Sequence, residues 1–209
     1  MRWRLRASCS CQNRRVEQRT PTRPEEIERL DVAVYAAIAR TPTPSLDAGM
    51  ARLSAAADYS RLSIGTATVM ALAGGERGRR AAVSGLVSVA VTSAVVNLGL
   101  KRVWRRPRPD RVAHEVPELR HVPMPSTRSF PSGHSAAAFA FAGGAGKEMT
   151  AASLPLHALA TVVAYSRVHS GVHYPLDALV GAVLGSVVSQ VSSHELDRIR
   201  NGRGGTRRR

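Results

Sequence analysis

The sequence predicts an all-α protein, a membrane-embedded helical bundle of about five to six helices. Three observations lead there. Runs of Ala, Val, Leu, Gly and Ser with almost no charge are separated by short polar breaks. Arginines gather outside those runs: Arg2, Arg4, Arg6, Arg14, Arg15, Arg19 and Arg23 at one end, Arg198, Arg200, Arg203, Arg207, Arg208 and Arg209 at the other. Small residues (Gly85, Ser88, Ser93, Gly143, Gly181, Gly185) recur inside the apolar runs, where helices in lipid need close contact.

The elements follow in order. Residues 1–23 form a basic, polar tail expected to be disordered. Residues 24–60 hold two amphipathic, interfacial helices. The first opens on Pro24-Glu25-Glu26 and aligns Ile27, Leu30, Val34 and Ile38; the second starts at Ser45 and carries Met50 and Leu53. The bundle proper is expected over 61–195, with a basic tail over 196–209. Its apolar stretches are 62–74, 81–100, 135–146, 151–165 and 179–191, and 81–100 contains no charge at all. Residues 75–80 read as a basic loop, and 101–130 as a polar, Pro-rich connection.

A net charge of +15 would suggest a nucleic-acid partner in a soluble protein. Here the basic ends flank apolar spans, which fits anionic lipid headgroups instead. Aromatic residues are too few for a base-stacking surface, so no nucleic-acid partner is expected. Cys9 and Cys11 lie in the polar tail without a partner set for metal or disulfide. The Arg-rich start is not followed by an apolar stretch, so no signal peptide is expected and internal spans must direct insertion.

Alternating the spans places 75–80, 147–150 and the C-terminus on one side, cytoplasmic by the positive-inside rule. The loops 101–133 and 166–176 fall on the other, extracytoplasmic side. An odd span count leaves the basic N-terminal tail outside, against the rule, unless an upstream helix also crosses.

Those two extracytoplasmic loops hold three motifs. Lys101 and Arg108-Pro109 fit K-x6-R-P, Pro131-Ser132-Gly133-His134 follows, and Ser166-Arg167 leads to His173 and Asp177 as S-R-x5-H-x3-D. In order and without substitution, this set resembles the type 2 phosphatidic acid phosphatase superfamily, over about residues 60–193. The resemblance implies a multi-pass lipid phosphatase of the cell membrane, acting through a phosphohistidine without a metal or cofactor. Its substrate would be a phosphomonoester or diphosphate of a phospholipid or polyprenyl lipid.

The residues make chemical sense by themselves. A phosphoryl group in transfer carries charge on its equatorial oxygens and calls for fixed cations and N–H donors. Arg108 and Arg167 supply forked donors and Lys101 a point charge. Only two lysines stand among thirty basic residues, so one at the required position is informative. Ser132 and Gly133 open an apolar helix whose free amides can cradle phosphate. Asp177 can fix the His173 tautomer, leaving the other ring nitrogen to attack phosphorus. His134 then serves as acid toward the leaving alkoxide and base toward water.

Arg102, Arg105, Arg106 and Arg111 read as membrane-edge anchors, and Arg111, Arg120 and Arg128 as further headgroup readers. His169, between Arg167 and His173, is expected to line the site. Vanadium haloperoxidases and soluble acid phosphatases share the motif set, but uncharged spans in a short chain argue against both. A non-enzymatic lipid-binding protein would need none of His134, His173 and Asp177.

Overall fold

The computed structural model describes residues 22–206, with side chains to 202. Residues 1–21, including Cys9 and Cys11, lie outside the described residues. The described residues are all-α, as the hydrophobic patterning predicts, with no strand and with seven α-helices where about five to six were expected. They are α1 (Arg23–Arg40), α2 (Pro44–Ala56), α3 (Arg61–Ala73), α4 (Gly75–Val103), α5 (Gly133–Glu148), α6 (Thr150–His169) and α7 (Pro175–Thr206).

Helices α3 to α7 run between two ends of the bundle. Its core is built from small side chains, among them Ala81, Ala82, Ala142 and Ala145, around Phe141, Val89 and Leu156. Such a core lets backbones approach closely. A Cβ on Gly185 would stand 2.1 Å from the Ala136 carbonyl oxygen, and one on Gly181 2.4 Å from that of Ser132. The Gly181-x-x-x-Gly185 pattern therefore seats α7 against α5. Buried serines link α4 and α7, with Ser88 Oγ 2.8 Å from Ser192 Oγ.

The outer faces are apolar. Leu179, Val183, Val187 and Val191 recur every four residues along α7 and are more than half exposed. Helices Gly75–Val103 and Pro175–Gly202 are long and apolar enough to cross a membrane.

Two boundaries differ from the sequence expectation. The basic run 75–80 is the first turn and a half of α4, not a loop. Gly75 adopts φ +57°, which glycine tolerates without a Cβ clash, and Glu76 sits at the positive helix end. At the other end α7 continues to Thr206, through the stretch read as a tail from 196. Lys147 pairs with Asp197 at 2.6 Å, and Arg200 pairs with Glu148, tying that extension to α5.

Helix α1 lies across one end of the bundle. Asp31 contacts Arg106 and the Leu176 amide, the Tyr35 ring meets His114 and Tyr174 edge-on, and the Ile38 and Ala39 carbonyls accept from Arg120. Helix α2 is held at the same end through Asp47 and Ser54. Among the described residues, neither is one of the helices long and apolar enough to cross a membrane.

Candidate active site

The end covered by α1 and α2 collects the residues of all three motifs. Lys101 sits near the C-terminus of α4, just after a π-helical stretch, Val95–Leu100. The wider turn shifts the helix register at that point, as such stretches do at functional sites. Lys101 Nζ donates to Thr127 Oγ1 at 3.1 Å. Arg108 grips the same residue, with Nε 2.8 Å from the Thr127 carbonyl oxygen and Nη2 3.2 Å from Oγ1. Thr127 thus reaches back from the far end of the connection to hold both cations.

His173 is 1% exposed, in the turn between α6 and α7. Its Nδ1 faces Asp177 Oδ2 at 3.5 Å and its Nε2 faces Arg108 Nη1 at 3.2 Å. Asp177 lies in the first turn of α7, where Pro175 is tolerated because its missing N–H would have no helical acceptor. The Asp177 carboxylate is fully buried. It accepts from the Tyr174 amide at 2.9 Å, from Arg106 Nη1 at 2.8 Å and from Ser129 Oγ. Burial pushes His173 down to about 4, against the pull of Asp177 and aided by Arg108, so its imidazole stays neutral. Burial and the neighbouring Arg167 lower Arg108 to about 10, which keeps it charged at neutral pH.

His134, in the first turn of α5, points its Nε2 at Asp58 Oδ1, 2.8 Å away. The same oxygen lies 3.3 Å from Arg167 Nη1. Asp58 is brought there by a reversal between α2 and α3, where Tyr59 and Ser60 take φ +54° and +58°. Left-handed backbone at two non-glycine residues costs about 1–3 kcal/mol each and persists only where the surroundings hold it. Arg167 is fully buried, its Nη1 bound to the Ser54 hydroxyl and carbonyl at 2.7 and 2.9 Å. Its Nε and Nη2 are buried without a hydrogen-bond partner. Unmade buried donors are costly, and an anion with several oxygens would satisfy both.

Ser132 caps α5, accepting from the Ser135 amide at 3.4 Å, and its own amide donates to the Asp177 carbonyl at 2.9 Å. Its hydroxyl is therefore a helix cap. Gly133 lies beside Lys101, whose Nζ is 3.6 Å from where a Cβ would stand. The amides at the start of α5 are first-turn donors that no helical carbonyl can reach. Two clefts meet at His134: one of about 430 Å³ under Pro123–Thr127, one of about 230 Å³ reaching Lys101, Gly133, Ser93 and Asn97. His173 lies behind them, screened by Arg108.

All six expected charged and imidazole groups therefore occupy one end of the bundle. Three other expectations are corrected. Arg106 is no edge anchor: it bridges Asp31 and Asp177. Arg120 cannot read a headgroup, because it is fully buried among Asp47 and the carbonyls of Ile38, Ala39 and Thr41. His169 faces Thr43 and Asp47 instead of the site. Sequence reasoning missed Asp31, Asp58, Thr127 and Ser129; none lies in a motif, and Asp31 and Asp58 precede the site by scores of residues.

Residues 81–199 match the PAP2 superfamily model, more than half of the chain. The chain belongs to the PAP2 superfamily. Over 111 residues this PAP2 protein is 40% identical to the decaprenylphosphoryl-5-phosphoribose phosphatase of Mycobacterium tuberculosis, in strains CDC 1551 / Oshkosh and ATCC 25618 / H37Rv. That segment covers 53% of this chain and 56% of the relative, so the chain spans about half the length of the curated relatives it matches. The crystal structure of Aquifex aeolicus LpxE superposes with a TM-score of 0.63 at 26% identity, covering 78% of this chain and 94% of that one. The crystal structure of a transmembrane PAP2-type phosphatidylglycerolphosphate phosphatase from Bacillus subtilis gives a TM-score of 0.63 at 22% identity, over 83% and 88%. This last likeness is one of fold.

Proposed function

We propose that this PAP2 protein is a multi-pass membrane phosphatase that hydrolyses a lipid phosphomonoester or diphosphate through a phosphohistidine at His173. The observation that carries the reading is the pairing of a buried, neutral His173 with Arg167 donors that lack a partner, at the end where Lys101 and Arg108 also converge. On binding, the phosphoryl oxygens take up the free donors of Arg167, Lys101 and the α5 amides, and Arg108 turns from His173 Nε2 to phosphate. Nε2 then attacks phosphorus, the P–O bond to the lipid breaks, and His134 protonates the leaving oxygen. Asp177 stabilises the positive charge that develops on the imidazole. In the second half, His134 takes a proton from water, the water oxygen attacks phosphorus, the P–N bond breaks, and inorganic phosphate leaves. No metal or cofactor is called for in these steps.

Apolar outer faces and two helices of membrane-crossing length support insertion in the bilayer. Arg77, Arg79, Arg80, Lys147, Arg198 and Arg200 belong to the end opposite the site, which supports an extracytoplasmic active site by the positive-inside rule. The name of the M. tuberculosis relative favours a polyprenyl phosphosugar among the candidate lipids. The test is phosphate release by the purified protein from phosphatidate, phosphatidylglycerophosphate, polyprenyl diphosphate and a polyprenyl phosphosugar, with His173→Ala in parallel. Release that requires His173 supports the reading; equal release by the variant overturns it.

A further inference from the structure

Behind Asp177 stands a second carboxylate. Arg106 Nη1 lies 2.8 Å from Asp177 Oδ1 and 2.7 Å from Asp31 Oδ2, so one guanidinium nitrogen bridges two acids. Its hydrogen is aligned on Asp177, while Asp31 Oδ2 makes a close ion pair without a hydrogen bond. The other Asp31 oxygen accepts from the Leu176 amide at 2.8 Å, in the first turn of α7. The Arg106 guanidinium also lies over the Tyr174 ring, 4.1 Å from its centre. Asp31 and Asp177 are 4% and 0% exposed and Arg106 16%, so water screens the chain weakly.

We propose that Asp31 and Arg106 are positioning residues for the His173–Asp177 pair, so that α1, outside the family-matched segment, completes the active site. The inference rests on the phosphohistidine reading above. An arginine alone behind Asp177 would hold the carboxylate in place but cancel much of its charge. Asp31, on the far side of Arg106, balances the guanidinium and returns the Asp177 charge to His173. The three groups then carry one net negative charge, which offsets the positive charge that His173 acquires when phosphorylated at Nε2. Both acids also fix the α7 N-terminus, one through the Tyr174 amide and the other through that of Leu176.

The groups facing His173 are Asp177 and Arg108 in contact, with Arg167, His134 and Lys101 across the site and Arg106 and Asp31 behind Asp177. Asp31→Asn keeps an acceptor for the Leu176 amide and removes only charge. In the full chain in detergent micelles, it is expected to lower kcat about tenfold with KM within twofold, the scale for loss of a group supporting a reactive ligand. The His173 ring, followed by NMR of labelled histidine, should protonate at lower pH than in the unsubstituted protein, and Asp31→Glu should restore both readouts. An unmoved His173 titration and unchanged kcat in Asp31→Asn would reduce Asp31 to a docking contact and overturn the proposal. If Asp31→Asn does not fold, Arg106→Lys decides. A lysine carries the charge but lacks the fork, and wild-type kcat in that variant contradicts the proposal. The NMR readout needs no turnover, so it stands even if His173→Ala shows that the phosphohistidine reading has failed.

Discussion

The Asp58 carboxylate lies 2.8 Å from His134 Nε2, and the same oxygen lies 3.3 Å from Arg167. It therefore occupies the two donors that an incoming phosphate oxygen needs. Bringing a phosphate dianion beside that carboxylate is unfavourable, so Asp58 must give way when substrate binds. Asp58→Asn is expected to lower KM several-fold and to change kcat less, in steady-state phosphate release. A collapse of kcat at unchanged KM would instead make the carboxylate necessary for proton transfer by His134.

Arg120 is a buried strut. It joins Asp47 at 2.9 Å to carbonyls at the end of α1, and it is fully enclosed. Arg120→Met strips the buried Asp47 carboxylate of its guanidinium and leaves it only Thr43 and His169, a loss of about 3–5 kcal/mol for breaking such a pair. Thermal unfolding in micelles should show a large drop in Tm. A Tm within a degree or two of the parent would mean that α1 and α2 are held otherwise.

Close packing between α5 and α7 gives a third expectation. Gly185→Ala places a methyl 2.1 Å from a backbone oxygen, so α7 must shift away from α5. Overpacking of this kind costs about 1–3 kcal/mol. Because Asp177 and His134 begin the two helices, activity should fall along with Tm. Gly49→Ala is the control, since nothing lies within 4 Å of its added methyl. Equal stability of the two variants would contradict this packing.

The pH dependence follows from His173. Its folded-state value, about 4, lies below the ordinary 6.5, so the unfolded chain binds the proton more readily between those limits. This contribution to stability is full above 6.5 and is lost as pH falls from 6.5 toward 4. The nucleophile of the free enzyme likewise stays neutral over that window, so the acid limb that His173 contributes to kcat/KM should lie below about pH 5. A limb centred near 6.5 would show a solvated imidazole.

The helices and the reactive groups were legible because their signals are local. Charge-free runs announce α4 to α7, and Lys101, Arg108, His134, Arg167, His173 and Asp177 stand at motif spacings. The groups that tune them were not legible. Asp31 and Asp58 precede the motifs and reach them only when α1 and α2 fold across the site end. Arg106 sits among other arginines and differs from them only by its partners. His169 lies between Arg167 and His173 in sequence, yet the last turn of α6 directs it toward Asp47. Residues 75–80 read as a loop because charge outweighed the cues of a glycine and an acid at a helix start.

The central claim is a covalent phosphohistidine at His173, and acid-sensitive trapping tests it most directly. The purified protein would be mixed with a polyprenyl phosphosugar carrying radiolabelled phosphate, quenched in base, digested and mapped. The account predicts label on the peptide containing His173 and none in His173→Ala. Phosphate release with no label on that peptide at any quench time, or with undiminished rate in His173→Ala, would contradict it.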